Sequence, residues 1–140
     1  MPILDSYLFF NGRCAEAMRH YERTLGGKLE ALMTYADSPE PEHCPAGAGD
    51  LVMHARLLID GRALMASDTP PGMPSNPMGG FSLSLQYPTP QEARRIFDAL
   101  AQGGEVRMPM QKTFWAEAFG MLVDRFGTPW MVGGGMSTGG

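Results

Sequence analysis

The sequence predicts an α+β protein made of two copies of a strand–helix–three-strand (βαβββ) module. Two amphipathic helix patterns occur, and each is preceded by one strand pattern and followed by three. A Gly-Gly pair closes each helix pattern, and matching residues recur in the same order in both halves. We therefore expect residues 1–140 to form one domain of two repeats, at about 4–67 and 81–133, a length that suits a single domain.

The first repeat begins with a strand and an amphipathic helix. Residues 4–10 are rich in aromatic side chains, and Asn11-Gly12 ends this strand. Gly26-Gly27 ends the helix that follows. The apolar residues of this helix recur at helical spacing and form one stripe: Cys14, Ala17, Met18, Tyr21 and Leu25.

Three strands follow the first helix. Apolar and polar residues alternate over 28–35, which indicates a half-buried strand. Residues 36–50 are rich in proline and acidic residues and are typical of a loop. The strands over 54–59 and 63–67 are joined at Asp60-Gly61, a strong hairpin signal.

The second repeat follows a proline- and glycine-rich loop over 68–80 and starts with a strand over 81–87. Thr89 as N-cap, Pro90 at the first helical position and Glu92 two positions later predict a helix with a capping box. Three final strands are expected over residues 105–111, 116–123 and 129–133.

Internal similarity supports a duplicated module. A shift of 76 pairs Gly27 with Gly103. A shift of 63 pairs His54 with Glu117, and a shift of 66 pairs Met65 with Met131. The constant order of these matches, in elements of the same type, favours duplication over chance.

Composition excludes several classes of protein. The net charge is −4 and the lysines and arginines are scattered, which argues against nucleic-acid binding. No apolar run approaches the ~18 residues of a membrane span. With only two cysteines and no secretory signal in view, we expect a cytoplasmic protein without disulfides.

Four segments resemble the vicinal oxygen chelate superfamily, which includes glyoxalase I and extradiol dioxygenases, and within it the PhnB-like branch. These segments are residues 7–17, 64–68, 113–115 and 124–131. The resemblance implies a fold in which each module curls into a cup, with the cups facing a cleft that holds a small molecule. It also implies a homodimer. A methyltransferase label carried by this branch gains no support, since no glycine-rich loop follows a first parallel strand.

The resemblance also implies four positions at which superfamily enzymes hold a divalent metal with His and Glu. In this chain they fall on Ser6, Met65, Phe81 (or Ser82 after a one-residue slip) and Met131. Hydroxyl, thioether and phenyl groups are poor ligands for such an ion. We therefore expect no metal and no other cofactor.

Two polar residues are candidates for chemistry. His54 and Glu117 are counterparts at a shift of 63, and counterparts in facing cups are expected to look toward one cleft. They are predicted to act as an acid–base pair, as ligands of a displaced metal, or as a structural hydrogen bond.

The remaining expected ligand contacts are partly apolar. Trp115 and Phe119 alternate onto the face of Glu117, and Asp68 follows a strand, at the presumed rim of the cleft. Each has a plainer interpretation as core or turn former. The full set of expected contacts is Ser6, Leu8, Met65, Asp68, Trp115, Phe119 and Met131.

Two functions remain open from the sequence. The first is a metal-free binding protein for a small, partly apolar ligand. The second is an enzyme of the lyase, isomerase or dioxygenase-like type that uses His54 and Glu117. Cys14 lies on the helix stripe and is interpreted as packing, and His43-Cys44 is too small a set of ligands for a metal site.

Overall fold

The computed structural model describes residues 2–38, 47–70, 72–74 and 76–136. The chain divides into two compact units, Met1–Asn76 and Pro77–Gly140. In the described residues each unit contains one α-helix and one four-stranded sheet, so the predicted α+β class with two βαβββ modules is confirmed. Neither of these helices is long and apolar enough to cross a membrane.

The first unit has the strand order β1-β4-β3-β2, with β1 parallel to β4 and the other pairs antiparallel. A short 3₁₀ turn, Tyr35–Asp37, follows β2. The elements of this unit are β1 Ser6–Phe10, α1 Cys14–Leu25, β2 Lys28–Thr34, β3 Val52–Ile59 and β4 Arg62–Asp68.

Helix α1 covers one face of this sheet. Its apolar stripe is fully buried at Cys14, Ala17, Met18 and Tyr21. Asp68 accepts a hydrogen bond from the backbone N–H of Cys14, the first residue of α1. The Asp68 side chain therefore lies on the side of the sheet that the helix covers. The strand residues that share this face are Leu8, Phe10, Ala55, Leu57, Leu64 and Ala66, all buried.

The opposite side of the first sheet, which we call the helix-free face, follows from strand alternation. It carries Tyr7, Phe9, His54, Arg56 and Met65. The β3–β4 hairpin turns at Asp60 and Gly61, which both have positive φ, as a two-residue hairpin turn requires. This turn fixes the register in which Met65 lies opposite Arg56.

The second unit repeats the arrangement with the strand order β5-β8-β7-β6, in which β5 is parallel to β8. Its helix buries Ala93, Ile96, Phe97 and Leu100 against the sheet. The elements are β5 Leu83–Tyr87, α2 Pro90–Ala101, β6 Glu105–Gln111, β7 Ala116–Val123 and β8 Pro129–Met136.

The predicted start of α2 is confirmed. The backbone N–H of Glu92 donates to the Thr89 hydroxyl oxygen at 3.2 Å, and Pro90 occupies the first turn. The Glu92 carboxylate accepts from the Thr89 hydroxyl, also at 3.2 Å, rather than from the Thr89 backbone N–H, so only half of the predicted capping box is formed. Thr89 therefore satisfies one of the backbone donors that every helix leaves free at its N-terminus.

The turn between β7 and β8 is longer than its counterpart in the first unit. It spans residues 124–128 and is organised by Asp124, which is 4% exposed. The Asp124 carboxylate accepts from the N–H groups of Phe126 and Thr128 and from the indole N–H of Trp130. Trp130 is buried on the α2 side of the sheet.

The strand registers of the two hairpins correct one predicted correspondence. Met65 lies opposite Arg56, whereas Met131 lies opposite Met121. If Met65 and Met131 are counterparts, Arg56 corresponds to Met121, and two residues earlier His54 corresponds to Phe119. The predicted pairing of His54 with Glu117 is therefore wrong by two residues, although both residues keep the helix-free face of their own sheet.

Candidate functional site

The helix-free face of the first sheet gathers polar and aromatic side chains in one row. Tyr7 on β1 is the register partner of Met65 on β4, and Met65 is the partner of Arg56 on β3. Since partners in register lie on the same face, these three side chains follow one another across the sheet. We call Tyr7, Phe9, His54, Arg56 and Met65 the first-sheet cluster.

Within the cluster, His54 is held by an aromatic neighbour. The Tyr7 hydroxyl and His54 Nδ1 lie 3.3 Å apart, and the two rings are 5.9 Å apart between centroids. Phe9 extends the aromatic surface, with its ring 5.2 Å from that of Tyr7. Tyr7 and Phe9 are 41% and 57% exposed, so this aromatic surface is accessible to a ligand.

Arg56 is the cation of the cluster. Its Nε donates to Glu30 Oε1 at 3.2 Å, and its Nη1 lies 3.7 Å from the sulfur of Met65. Both charged side chains are about 40% exposed, and an ion pair of this kind stabilises a protein by at most about 1 kcal/mol. A thioether is a weak acceptor, so much of the hydrogen-bonding capacity of this guanidinium is not used by strong partners.

The second sheet presents a different helix-free face. Phe119, Met121 and Met131 lie on it, and Phe119 is only 5% exposed. The ring of Trp115 packs edge-on against Phe119 with centroids 5.4 Å apart. Glu117 is exposed and lies against Gly135, where an added Cβ would fall 2.6 Å from Glu117 Oε2. Around Phe119 this face is therefore mainly apolar packing, next to the exposed Glu117 carboxylate.

Asp68 does not lie at a rim. It is 2% exposed and accepts hydrogen bonds from the backbone N–H groups of Gly12, Cys14 and Val52, at 2.9, 3.0 and 2.9 Å. The predicted rim position is wrong, because the carboxylate is the buried acceptor that anchors the start of α1. The plainer interpretation as a turn former was nearer to the structure.

Ser6 and Leu8 lie on the α1 side of the first sheet. They are the register partners of Leu64 and Ala66, and Leu8 is 2% exposed. Their sequence neighbours Tyr7 and Phe9 occupy the helix-free face instead. The sequence contained a signal for this assignment. Met65 was predicted to face the ligand, and the β1 residue that pairs with Met65 must lie on the same face of the sheet.

Cys14 behaves as a packing residue. Its side chain is fully buried, and burial raises the pKa of its thiol to about 12, with a smaller contribution from the nearby Asp68 carboxylate. The helix N-terminus therefore does not activate this thiol. His43-Cys44 lies outside the described residues.

The donor groups do not fit the divalent metal that the resemblance implies. No three His, Cys, Asp or Glu side chains come together anywhere in the described ranges. The expected ligand position at Met65 holds a thioether that is 3.7 Å from the Arg56 guanidinium, a cation that would repel a metal ion. The first-sheet cluster is therefore a poor site for Zn²⁺, Mn²⁺ or Ni²⁺.

The second unit also contains a shallow cavity of about 230 Å³. Arg107 is the charged residue that lines it, and the Arg107 Nε lies 3.5 Å from Glu105 Oε1, with both side chains more than half exposed. The other lining residues are Met78, Gly79, Gly80, Phe81, Ser82, Met121, Leu122, Val123 and Pro129. It has no histidine, so it offers less chemistry than the first-sheet cluster.

Comparisons with known proteins give a consistent family. The model of the Glyoxalase/Bleomycin resistance protein/Dioxygenase superfamily matches residues 3–132. Protein YjdN of Escherichia coli K12 is 38% identical over 94% of each chain. The crystal structure of PA1353 from Pseudomonas aeruginosa is 47% identical, with a TM-score of 0.91 over 98% of this chain and 100% of that one.

A third relative carries an enzyme name. A PhnB protein from Bacillus cereus, whose name proposes a 3-demethylubiquinone-9 3-methyltransferase activity, is 25% identical with a TM-score of 0.80. The match covers 95% of this chain and 99% of that one. It supports the predicted PhnB-like branch.

Proposed function

Because the chain belongs to the Glyoxalase/Bleomycin resistance protein/Dioxygenase superfamily, we propose that it binds a small, partly apolar ligand on the helix-free face of its first sheet. The observation that carries this proposal is the contact between the Tyr7 hydroxyl and His54, beside the exposed ring of Phe9. A few polar groups set in an aromatic surface are typical of small-molecule sites.

The proposed binding does not use the superfamily's metal. In the first-sheet cluster, His54 is the residue of a type that commonly binds metal ions. Its neighbours are a phenol, a guanidinium and thioethers. Such groups recognise a ligand by hydrogen bonds, stacking and charge rather than by coordination. In the second unit we propose that the ligand contacts are apolar side chains, namely Met131, Trp115 and Phe119.

An enzyme is the second candidate, and the same hydrogen bond favours it. In the tautomer in which His54 donates its Nδ1–H to the Tyr7 hydroxyl oxygen, Nε2 is an acceptor with a fixed direction, which is the usual arrangement for a general base. In this alternative the proposed acid–base residues for lyase, isomerase or dioxygenase-like chemistry are His54 on the first sheet and Glu117 on the second. A turnover that His54→Ala and Glu117→Gln both abolish would favour it over simple binding.

Nuclear magnetic resonance with phenol as the probe tests the binding proposal. We expect phenol to shift amide signals of β1, β3 and β4, and we expect His54→Ala to weaken this response with little change in melting temperature. Arg107→Met, in the second unit, is the control and should leave the response unchanged. A null response in the first unit at saturating phenol would refute the proposal.

The same substitution separates a binding role from a structural one. If His54 only supports the fold, His54→Ala should lower the free energy of unfolding by about 1–3 kcal/mol, the cost of stranding a hydrogen-bond partner. If it serves the ligand, stability should stay near that of the wild type, since the Tyr7 hydroxyl is exposed and can bond to water instead.

We also propose a homodimer. Strand β5 is an edge of its own sheet, and the segment Phe81-Ser82-Leu83-Ser84-Leu85, which leads into the strand and forms its first part, has neither proline nor lysine. Phe81 is 44% exposed, and edges without such residues tend to pair. Sedimentation should give about twice the chain mass, whereas a single-chain mass at all concentrations would exclude the dimer.

A further inference from the structure

We infer that the ligand of the first-sheet cluster is a monoanion, a carboxylate on an aromatic or other apolar body, with Arg56 and His54 binding the carboxylate. This inference rests on the proposed function and goes further by naming the class of ligand.

Arg56 has donors to spare. A guanidinium carries five N–H donors in a planar fork. Within the described part of the chain, Arg56 contacts Glu30 through Nε and the Met65 sulfur through Nη1. The Nη1–Nη2 edge of the fork is therefore opposed by a thioether alone, and this is the edge that binds a carboxylate through two parallel hydrogen bonds.

Glu30 orients the fork without neutralising that edge. Its Oε1 accepts a hydrogen bond from Nε at 3.2 Å, and Nε is not part of the Nη1–Nη2 edge. The pair is well exposed, so water and salt screen it and a carboxylate on the opposite edge meets little repulsion. A dianion such as a phosphonate would meet more, because one cation already shared with Glu30 cannot balance two further charges.

His54 supplies a second donor. When the Tyr7 hydroxyl donates to Nδ1, the neutral imidazole carries its proton on Nε2. His54 and Arg56 are two residues apart on β3 and share a face, so their Cα atoms are about 7 Å apart. At this distance both side chains can reach one carboxylate.

The aromatic rings provide a surface for the rest of the ligand. Tyr7 and Phe9 lie on β1, across β4 from Arg56, and both are exposed. A ligand that places its carboxylate over Arg56 and extends toward β1 would lie against these rings. An aromatic carboxylate of the size of benzoate fits this arrangement better than a purely polar acid.

Three probes with the same ring but different charge test the inference: benzoate, benzyl alcohol and benzylammonium. Their dissociation constants are measured by amide shifts in the first unit. We expect benzoate to bind about tenfold more tightly than benzyl alcohol, as a charge-assisted hydrogen-bonded pair is worth about that factor. Benzylammonium should bind more weakly than either.

Variants then identify the cation. Arg56→Met should remove the advantage of benzoate and leave benzyl alcohol unchanged, and Glu30→Gln should strengthen benzoate binding by freeing Arg56. Arg56→Gln is the second variant if the methionine variant is poorly folded. Arg107→Met is the matched control, because Arg107 also pairs through Nε with a glutamate but on the other sheet.

The outcomes separate the two proposals. If none of the three probes perturbs the first unit, the proposed binding site itself is wrong. If the three probes bind equally well, or Arg56→Met leaves their order unchanged, the site stands and the anionic ligand is wrong. Benzoate binding that is lost in Arg107→Met would move the anion site to the cavity of the second unit and overturn the inference.

Discussion

The two sheets hold very different residues at one equivalent position. In each sheet the first and last strands of the module run parallel, and this position is where that pair ends, below the start of the helix. In the first sheet Asp68 is the partner of Phe10, the last residue of β1. In the second sheet Gly134 is the partner of Tyr87, the last residue of β5. A buried carboxylate and a residue without a side chain therefore occupy the same place in the two modules.

Each residue matches the way in which its helix begins. Helix α1 has no side-chain cap of its own at Arg13, and Asp68 accepts the N–H groups of Gly12 and Cys14 instead. Helix α2 is capped locally by Thr89 and packs so closely on β8 that a Cβ at Gly134 would fall 2.7 Å from the Cβ of Ala93. A duplicated fold can thus replace a remote cap with a local one and use the vacated space for closer packing.

The largest expected effect comes from Asp68→Ala. The change leaves three backbone N–H groups without their acceptor, two of them buried, so we expect the free energy of unfolding to fall by about 3 kcal/mol or more. Denaturant unfolding measures this. Asp98→Ala, at an exposed aspartate of α2, is the control and should change little. A loss below 1 kcal/mol for Asp68→Ala would contradict the role of Asp68 as the anchor of the start of α1.

The corresponding change in the second sheet is Gly134→Ala. The new methyl group would overlap the backbone carbonyl of Thr89 and the side chain of Ala93, so we expect a loss of about 2 kcal/mol from overpacking. Gly79→Ala is the control, since an added Cβ there meets nothing within 4 Å. Equal stability of the two variants would mean that α2 can move away from β8 at no cost.

The smallest effects separate the two caps. Thr89→Ala should cost about 1 kcal/mol, because the N–H of Glu92 loses its acceptor. Arg13→Ala, at the matching position before α1, should cost less than about 0.5 kcal/mol, since the Arg13 side chain does not cap the helix and its ion pair with Glu16 is exposed. A larger loss for Arg13 than for Thr89 would contradict the assignment of the α1 cap to Asp68.

The sequence predicts best those features that depend on adjacent residues. The start of α2 and the Asp60-Gly61 turn were predicted correctly, because Thr89 and the turn residues act on neighbours along the chain. The role of Asp68 could not be predicted in the same way, because its partners Gly12 and Cys14 lie more than fifty residues away.

The candidate site was harder to predict for two physical reasons. Residues 7–10 are apolar or aromatic at both alternating positions, so this part of the strand gives no signal that separates the face of Leu8 from the face of Tyr7 and Phe9. The register between β7 and β8 depends on which residues pair across the hairpin, and when Met65 is aligned with Met131 the observed pairing places Phe119, not Glu117, at the position of His54.

The remote cap of α1 also bears on the order in which the chain folds. The acceptor for Cys14 belongs to a residue that is synthesised fifty-four positions later, so the first helix cannot gain its anchor until the hairpin of β3 and β4 has formed. Helix α2 carries its own anchor and is free of this delay. During refolding, hydrogen exchange at the Cys14 amide should slow together with β4, whereas the Glu92 amide should be protected without waiting for the first unit.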